Sequence, residues 1–512
     1  MLSSGLWYLA DGAALLTFAV LGWQYLSSKR SALPLPPGPK PLPIVGNIFD
    51  VPKSFAWVHY QRWTAKYGDV ISLTVLGKVI VVLNSVAAIQ DLVLTARANV
   101  FASRPHIKAV EMTNMHDQTV FLAPYGRKWR DRRRIIDKYF RPAAIQAYQP
   151  VLQDRVTLAM KRLAQDPARF RKHIRECTNA VVLSTVYGYD VKDGGDLFVG
   201  LAEEVAALVK YAVLPGSTIV NTLPFLGSLP TWALGPAFHR LIQRGKYVSY
   251  ESIHAPFRWT KDSIRNGTAR QSLARESLEE LAEGDEEGEL VLREAFGAIF
   301  GAASDTTVAA ISAFILAMTL FPDVQARAHG ELDTVVGRDR LPAFSDRPNL
   351  PYIDALVHEL LRWSPVVPQG VPHVADEDVV WKGYRIPKGA MVIGNAWAIL
   401  HDPASYAQPE IFRPERFLSP DGRFVADPSV DYYFGFGVRR CPGRHLLDTV
   451  LWLFIVTVLA EFKIAGGEAS PDISAEDIPF AFMGEGVTTH PLPFECSILP
   501  RDARALQVIE AA

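Results

Sequence analysis

Cysteine is scarce in this sequence. The 512-residue chain carries three, Cys177, Cys441 and Cys496, which excludes a dense disulfide framework and a four-cysteine metal site. A charge excess is also missing: 53 basic residues face 54 acidic ones, for a formal net charge of −1. No nucleic-acid partner is therefore expected. The 12 histidines include no HExxH pair, which removes that class of zinc hydrolase. No repeat of solenoid length is present, and no GxGxxG loop follows a strand-like run, so no nucleotide module is visible. With 49% hydrophobic residues, disorder is excluded as well. What remains is a large folded body with an extensive core.

The N-terminus departs from that of a soluble protein. Leu6–Ala10 and Ala13–Tyr25 are apolar, interrupted by Asp11, Gly12 and Gln24, and Lys29 and Arg30 follow. This is about the length that crosses a bilayer. The trailing positive charges favour a signal anchor with the following chain in the cytoplasm; a monotopic or packed helix is the alternative. Residues 1–28 are thus expected to form a transmembrane signal anchor. Residues 29–45, which include PLPPGPKPLP, are expected to form a basic, proline-rich hinge. Residues 46–512 are expected to form one globular domain.

Along that domain, Phe55–Tyr67 has helical periodicity, and Val70–Val75 with Val79–Leu83 reads as a hairpin. Val213–Trp232 is strongly apolar yet broken by prolines and glycines; it suits either a packed loop or a connector that dips into a membrane surface. Glu276–Glu289 reads as a solvated helix end and linker. Ala295–Leu320 is a long apolar run interrupted by Ser304, Asp305, Thr306 and Thr307. Those polar residues favour a buried central helix over a second membrane span. A mid-helix threonine there can bond its own i−4 carbonyl and open the ladder locally. Leu492–Ile498 reads as a late strand.

The chemistry-bearing stretch is Phe434–Gly443, FGFGVRRCPG. It places Cys441 in a glycine-rich loop ahead of an apolar helix. A lone thiolate in such a loop suits an axial haem ligand; a buried structural cysteine is the alternative. In RKWRDRRRIIDKYF (127–140), Trp129 and Arg133 share one helical face. They could hold an internal anion such as a cofactor carboxylate, or simply face solvent. Glu359 and Arg362 are spaced for an ion pair on one helix.

Taken together, these residues resemble the cytochrome P450 family, the haem-thiolate monooxygenases. Phe434, Gly437, Arg439, Cys441 and Gly443 fill every fixed position of that family's cysteine loop. Glu359-x-x-Arg362 matches its buried ion pair, and Pro414-Glu415-Arg416-Phe417 supplies the arginine that joins it. The resemblance covers nearly the whole chain and is strongest to fungal microsomal members. It implies a mainly α fold with a small β portion behind an N-terminal transmembrane anchor, with 46–512 as a single haem-binding catalytic domain. Haem b would be ligated by Cys441. Arg439, Trp129, Arg133 and His373 would meet its propionates, Phe434 would cover the thiolate side, and Gly437 and Gly443 would permit close backbone approach. Glu359, Arg362 and Arg416 would form a structural triad. Thr306, with Asp305 as its acid neighbour, would deliver protons to dioxygen. Ala303 stands where the family usually has glycine, and Leu447 where alanine is common.

The implied reaction uses O2 and NADPH electrons delivered by a separate flavoprotein reductase, with cytochrome b5 as an optional second donor. The implied place is the endoplasmic reticulum membrane, with the catalytic domain facing the cytoplasm. A lipophilic pocket is expected from Met112, Met115, Phe121, Phe296, Phe300, Ala303, Val366, Val367, Phe482 and Met483; the same residues suit an ordinary core. The substrate class implied is a terpenoid or aromatic secondary metabolite. Alternatives are a rearranging synthase or peroxygenase of the same haem chemistry, and a non-catalytic membrane-anchored haem or lipid-binding protein.

Overall fold

The computed structural model describes residues 33–94, 99–115, 119–192, 195–213, 218–467, 473–484 and 486–512. The anchor expected over 1–28 lies outside them. The described residues form two compact units, 33–105 with Gln369–Ile399, and His106–Pro368 with Leu400–Ala512. Helices dominate and the strands are few and short.

The first unit holds a four-stranded sheet. Strands β1 (Val70–Val75) and β2 (Lys78–Leu83) form the expected antiparallel hairpin. Its two-residue turn, Leu76-Gly77, has positive φ at both positions, which matches the right-handed twist of the strands. Four further short strands follow: β3 (His373–Val374), β4 (Val379–Trp381), β5 (Tyr384–Ile386) and β6 (Met391–Gly394). Strand β6 runs parallel to β2 and antiparallel to β3, while β4 and β5 pair separately. Beneath the sheet, Tyr60 from the helix Ala56–Tyr67 packs with Leu73, Val82 and Ile393.

The proline-rich segment is docked along this sheet. Ser72 donates its amide to the Pro37 carbonyl at 2.8 Å and its hydroxyl to that of Pro36 at 2.5 Å. Arg385 donates its amide to Pro34 at 2.8 Å. A Cβ on Gly38 would collide with the Ser72 carbonyl oxygen, so the chain can pass here only as glycine. The expected hinge is, from Pro34 onward, a strap: prolines cannot donate ladder bonds, but their carbonyls accept them.

The second unit is built on the helix Glu286–Leu320. It packs against the helices Arg127–Phe140, Phe170–Tyr187, Pro236–Arg265 and Arg444–Glu461. Among the described residues it is the one helix long and apolar enough to cross a membrane, but 72% of its most apolar window is buried inside the protein. It is the core helix that its polar cluster suggested. It starts well before Ala295. Asp285 caps it, accepting from the Gly288 amide at 2.8 Å, and Glu286, Glu287 and Glu289 fill its first turn. The acidic stretch read as linker is thus partly a helix start, where negative charge complements the dipole. The late strand also falls elsewhere: β8 is Cys496–Pro500, antiparallel to β7 (Phe462–Gly466). Prolines at 491 and 493 remove donors from the earlier part of the expected run.

Candidate active site

The cysteine loop is built from local turns. Gly437 has φ of 61°, a left-handed position that disfavours side chains. It opens a single 3-10 turn, Gly437–Arg439. The Cys441 amide then donates back to the Phe434 carbonyl at 2.9 Å, closing the loop on itself. Phe434 is half-buried and meets Tyr433 edge-on at 4.8 Å. Gly443 has no left-handed backbone of this kind. Its φ is −77°, and an added Cβ would find only the Cys441 Sγ, at 3.8 Å. Its contribution is its N–H, which bonds Cys441, and its position as cap of the helix Arg444–Glu461.

Cys441 is exposed on one side of this loop. Protein crowds its other sides, and that burial pushes the thiol pKa up. The Gly443 N–H and the charges of Arg133, Arg444 and Arg440 oppose the rise, as expected for a sulfur at a cationic helix start.

Trp129, Arg133 and Arg439 come together beside the loop. The Arg439 guanidinium lies 4.2 Å from the Trp129 ring centroid and that of Arg133 lies 5.9 Å from it. Arg439 is buried and donates to the Val120 and Ala123 carbonyls at 3.2 and 2.9 Å. The Nε of Arg133 donates to Asp137 at 2.9 Å. Trp129 is buried, yet its Nε1–H has no hydrogen-bond partner. A buried indole N–H without an acceptor is costly, and here it sits beside two guanidinium groups. The trio fits an anionic acceptor such as a haem carboxylate.

His373 falls in the first unit, on β3. It is buried, and its Nδ1 is 2.6 Å from the Phe101 carbonyl oxygen. That nitrogen therefore has a structural bond.

Midway along the central helix, the run of buried residues is interrupted by an accessible patch that includes Ala302, Ala303 and Thr306. Thr306 Oγ1 donates to the Ala302 carbonyl at 2.9 Å, and Ser304 Oγ to that of Phe300 at 2.7 Å, the i−4 back-bonding expected of such residues. Asp305 does not bond Thr306. Its Oδ1 is 3.0 Å from His490 Nε2, and its Oδ2 accepts from Thr488 Oγ1 at 2.6 Å. Burial pushes its pKa up, but His490 and Thr488 more than offset this and hold the carboxyl below its ordinary value. Neither partner stood out in the sequence; the signal was a Thr-Thr-His run next to Pro491.

Glu359 and Arg362 are fully buried and bidentate, at 2.6 and 2.9 Å. The Nε of Arg416 reaches Glu359 at 3.4 Å, and the Arg413 amide donates to the same carboxylate at 2.8 Å. Arg362 also donates to the Leu400 carbonyl at 2.9 Å. Arg416 donates to the Ala407 and Gln408 carbonyls at 2.5 and 2.6 Å. The triad thus joins a helix, Pro351–Trp363, to the loop that follows Leu400, with its polar groups satisfied as burial requires.

Several residues expected in a pocket are core residues. Phe296 meets Tyr139 at 6.2 Å and Phe300 meets Tyr187 edge-on at 6.4 Å, both fully buried. Phe482 packs edge-on against Trp363 at 5.6 Å. Apolar residues three to four apart mark a buried helix face whatever lies against it.

Comparison with known proteins agrees with this geometry. The family model Cytochrome P450 matches residues 36–496. Cytochrome P450 monooxygenase 208 of Postia placenta is 37% identical over 505 residues, covering 98% of this chain and 97% of that protein. Cytochrome P450 monooxygenase claR of Ampulloclitocybe clavipes is 36% identical, covering 97% and 91%. Cytochrome P450 monooxygenase ple1 of Rhodocybe pseudopiperita is 36% identical, covering 96% and 95%. Membership implies haem b and the use of O2. The chain belongs to the cytochrome P450 family and is a haem-thiolate monooxygenase acting on lipophilic substrates.

Proposed function

We propose that this enzyme hydroxylates a lipophilic secondary metabolite, terpenoid or aromatic, with electrons from a separate NADPH-dependent flavoprotein reductase and, optionally, cytochrome b5. The balance is RH + O2 + NADPH + H⁺ → ROH + H2O + NADP⁺. The observation that carries it is the accessible Cys441 beside the unpartnered Trp129 N–H and two arginines. Haem, held by that set, supplies dioxygen activation and oxidation of a C–H bond.

The chain's own residues have distinct tasks. Cys441 provides the thiolate, which the Gly443 N–H and nearby cations moderate. Trp129, Arg439 and Arg133 hold the cofactor's carboxylates, with His373 as a further candidate. Phe434 covers the thiolate side. Thr306 and Asp305 hold and pass protons taken from solvent, a general acid role. Glu359, Arg362 and Arg416 keep the loop region rigid. Product formation that needs NADPH and reductase supports this reading; equal product from added peroxide alone would favour a peroxygenase.

Trp129→Phe tests the cofactor-holding role. The ring packing is retained and one N–H is lost. A hydrogen bond to a charged group contributes about 1.5–3 kcal/mol, so haem should leave roughly 10- to 100-fold more readily, measured by transfer to a haem acceptor protein. The haem-free variant should be no less stable, since that N–H has no protein partner.

Membrane association is proposed through two elements, the 1–28 anchor and the apolar connector. The connector exposes Ile219, Phe225, Leu229 and Trp232, with Phe225 and Trp232 at 67% and 70%. The reading places the protein at the endoplasmic reticulum membrane with the catalytic domain facing the cytoplasm. In a chain lacking residues 1–28, Phe225→Ser with Trp232→Ser should weaken vesicle binding at least tenfold, since burying each side chain contributes about 1.5–3 kcal/mol. Sedimentation with vesicles reads the result; unchanged binding would remove the connector from the account.

A further inference from the structure

The two oxygens of Asp305 are held by one short segment near the C-terminus. His490 Nε2 lies 3.0 Å from Oδ1, and Thr488 Oγ1 donates to Oδ2 at 2.6 Å. The segment is a narrow antiparallel loop. The Met483 amide donates to the His490 carbonyl, and the Leu492 amide to that of Ala481, each at 2.8 Å. Phe482 and Pro491 form a bridge between its arms. The loop is seated on the end of the helix that carries Glu359 and Arg362 and on the residues just after it: Phe482 packs on Trp363, and the Thr489 amide donates to the Val366 carbonyl at 2.8 Å. On the arm that carries Phe482, Lys210 Nζ is 3.7 Å from Met483 Sδ. Among the described residues, Arg175 is a further charge acting on Asp305, and it is itself paired with Glu203 at 3.0 Å.

We propose that His490 is a positioning residue for Asp305, fixing the carboxylate's orientation and tying proton delivery to the seating of the 481–492 loop. The proposal rests on the reading of Asp305 as a proton-delivering acid. A carboxylate on the accessible stretch of the helix has several rotamers available. The imidazole and the Thr488 hydroxyl, both from one loop, select one. The side chains of His490 and Asp305 are 21% and 30% exposed, so the pair touches both solvent and interior, as a proton route requires. Loss of the histidine frees Oδ1 and leaves the Thr488 hydroxyl to hold the carboxylate from one side, so the loop is seated more weakly and Asp305 turns between conformers. Protons then arrive in the wrong place, and dioxygen leaves as hydrogen peroxide: O2 + NADPH + H⁺ → H2O2 + NADP⁺.

The test compares His490→Ala, His490→Gln, Asp305→Asn and the double variant His490→Ala/Asp305→Asn as holoenzymes with reductase. Two readouts are taken: the peroxide-to-product ratio per NADPH, and amide hydrogen exchange over 481–492. General acid catalysis contributes about 10²–10⁴-fold; a misplaced acid should forfeit part of that, so His490→Ala should raise the ratio roughly tenfold. Asp305→Asn should raise it at least as much, and the double variant no further. His490→Gln, which keeps a donor at the Nε2 position, should restore most of the coupling. Exchange at the Met483 and Thr489 amides should quicken in His490→Ala and return toward wild type in His490→Gln. Uncoupling in Asp305→Asn, with neither uncoupling nor faster exchange in His490→Ala, would overturn the role of His490 and leave that of Asp305 standing. Full coupling in Asp305→Asn would overturn the reading of Asp305 itself, and this role with it.

Discussion

Cys441→Ala is expected to abolish NADPH-dependent product formation while leaving a folded protein. The reason lies in all three cysteines. Thiolate, not thiol, ligates iron. Cys177 is buried on the helix Phe170–Tyr187, and burial pushes its pKa up to about 12. Cys496 lies on β8, partly buried, and its pKa rises to about 11. Burial pushes the Cys441 pKa up as well; what sets it apart is its exposed face and the Gly443 N–H, with the charges of Arg133, Arg444 and Arg440 opposing the rise. Metal binding would displace its proton and use that electrostatic support. Neither other thiol can take its place, so activity should fall below detection. Cys496→Ala, by contrast, should retain activity. Far-ultraviolet circular dichroism, expected to be unchanged in Cys441→Ala, separates loss of the ligand from loss of the fold. Residual turnover above a few per cent would contradict the assignment.

The second large effect is expected at Glu359. Glu359→Ala leaves Arg362 as a fully buried guanidinium without its carboxylate, and also deprives Arg416 and the Arg413 amide of an acceptor. Breaking a buried pair from one side costs about 3–5 kcal/mol, a large share of an ordinary domain's stability. The expected result is a thermal midpoint many degrees lower and little haem-loaded protein, although Glu359 is assigned no part in the reaction. Arg362→Lys should also be damaging, because one ammonium cannot replace a bidentate fork that also reaches Leu400. Glu359→Leu with Arg362→Leu should recover stability relative to Glu359→Ala, since an apolar pair carries no orphaned charge. Wild-type stability in Glu359→Ala, measured by thermal melting, would sink this account of the triad.

Much of this was legible in the sequence, for reasons that differ by element. The hairpin at Val70–Leu83 was readable because alternation and a Gly77 turn are local signals. The helix Glu286–Leu320 was only half readable. Asp305 and its hydroxyl neighbours argued against a lipid-facing span, but the cap at Asp285 looked like linker because an acidic helix start and a solvated loop share a composition. The cysteine loop was readable from fixed spacing, while the reason for each glycine was not; Gly437 needs its φ and Gly443 does not. Phe296 and Phe300 could not be sorted between pocket and core, because helical spacing marks a buried face without naming what covers it. The bonds to Asp305 were invisible for another reason. His490 lies 185 residues away, and pairing over such a separation is set by tertiary packing, not by local pattern.

The central claim is that Cys441 holds haem iron as a thiolate. Its most direct test is the difference spectrum of the reduced, carbon-monoxide-bound protein. A strongly red-shifted Soret band, present in the wild type and absent in Cys441→Ala, is the predicted result. A wild-type band at the shorter wavelength of imidazole-ligated haem, or a red-shifted band that survives in Cys441→Ala, would contradict it.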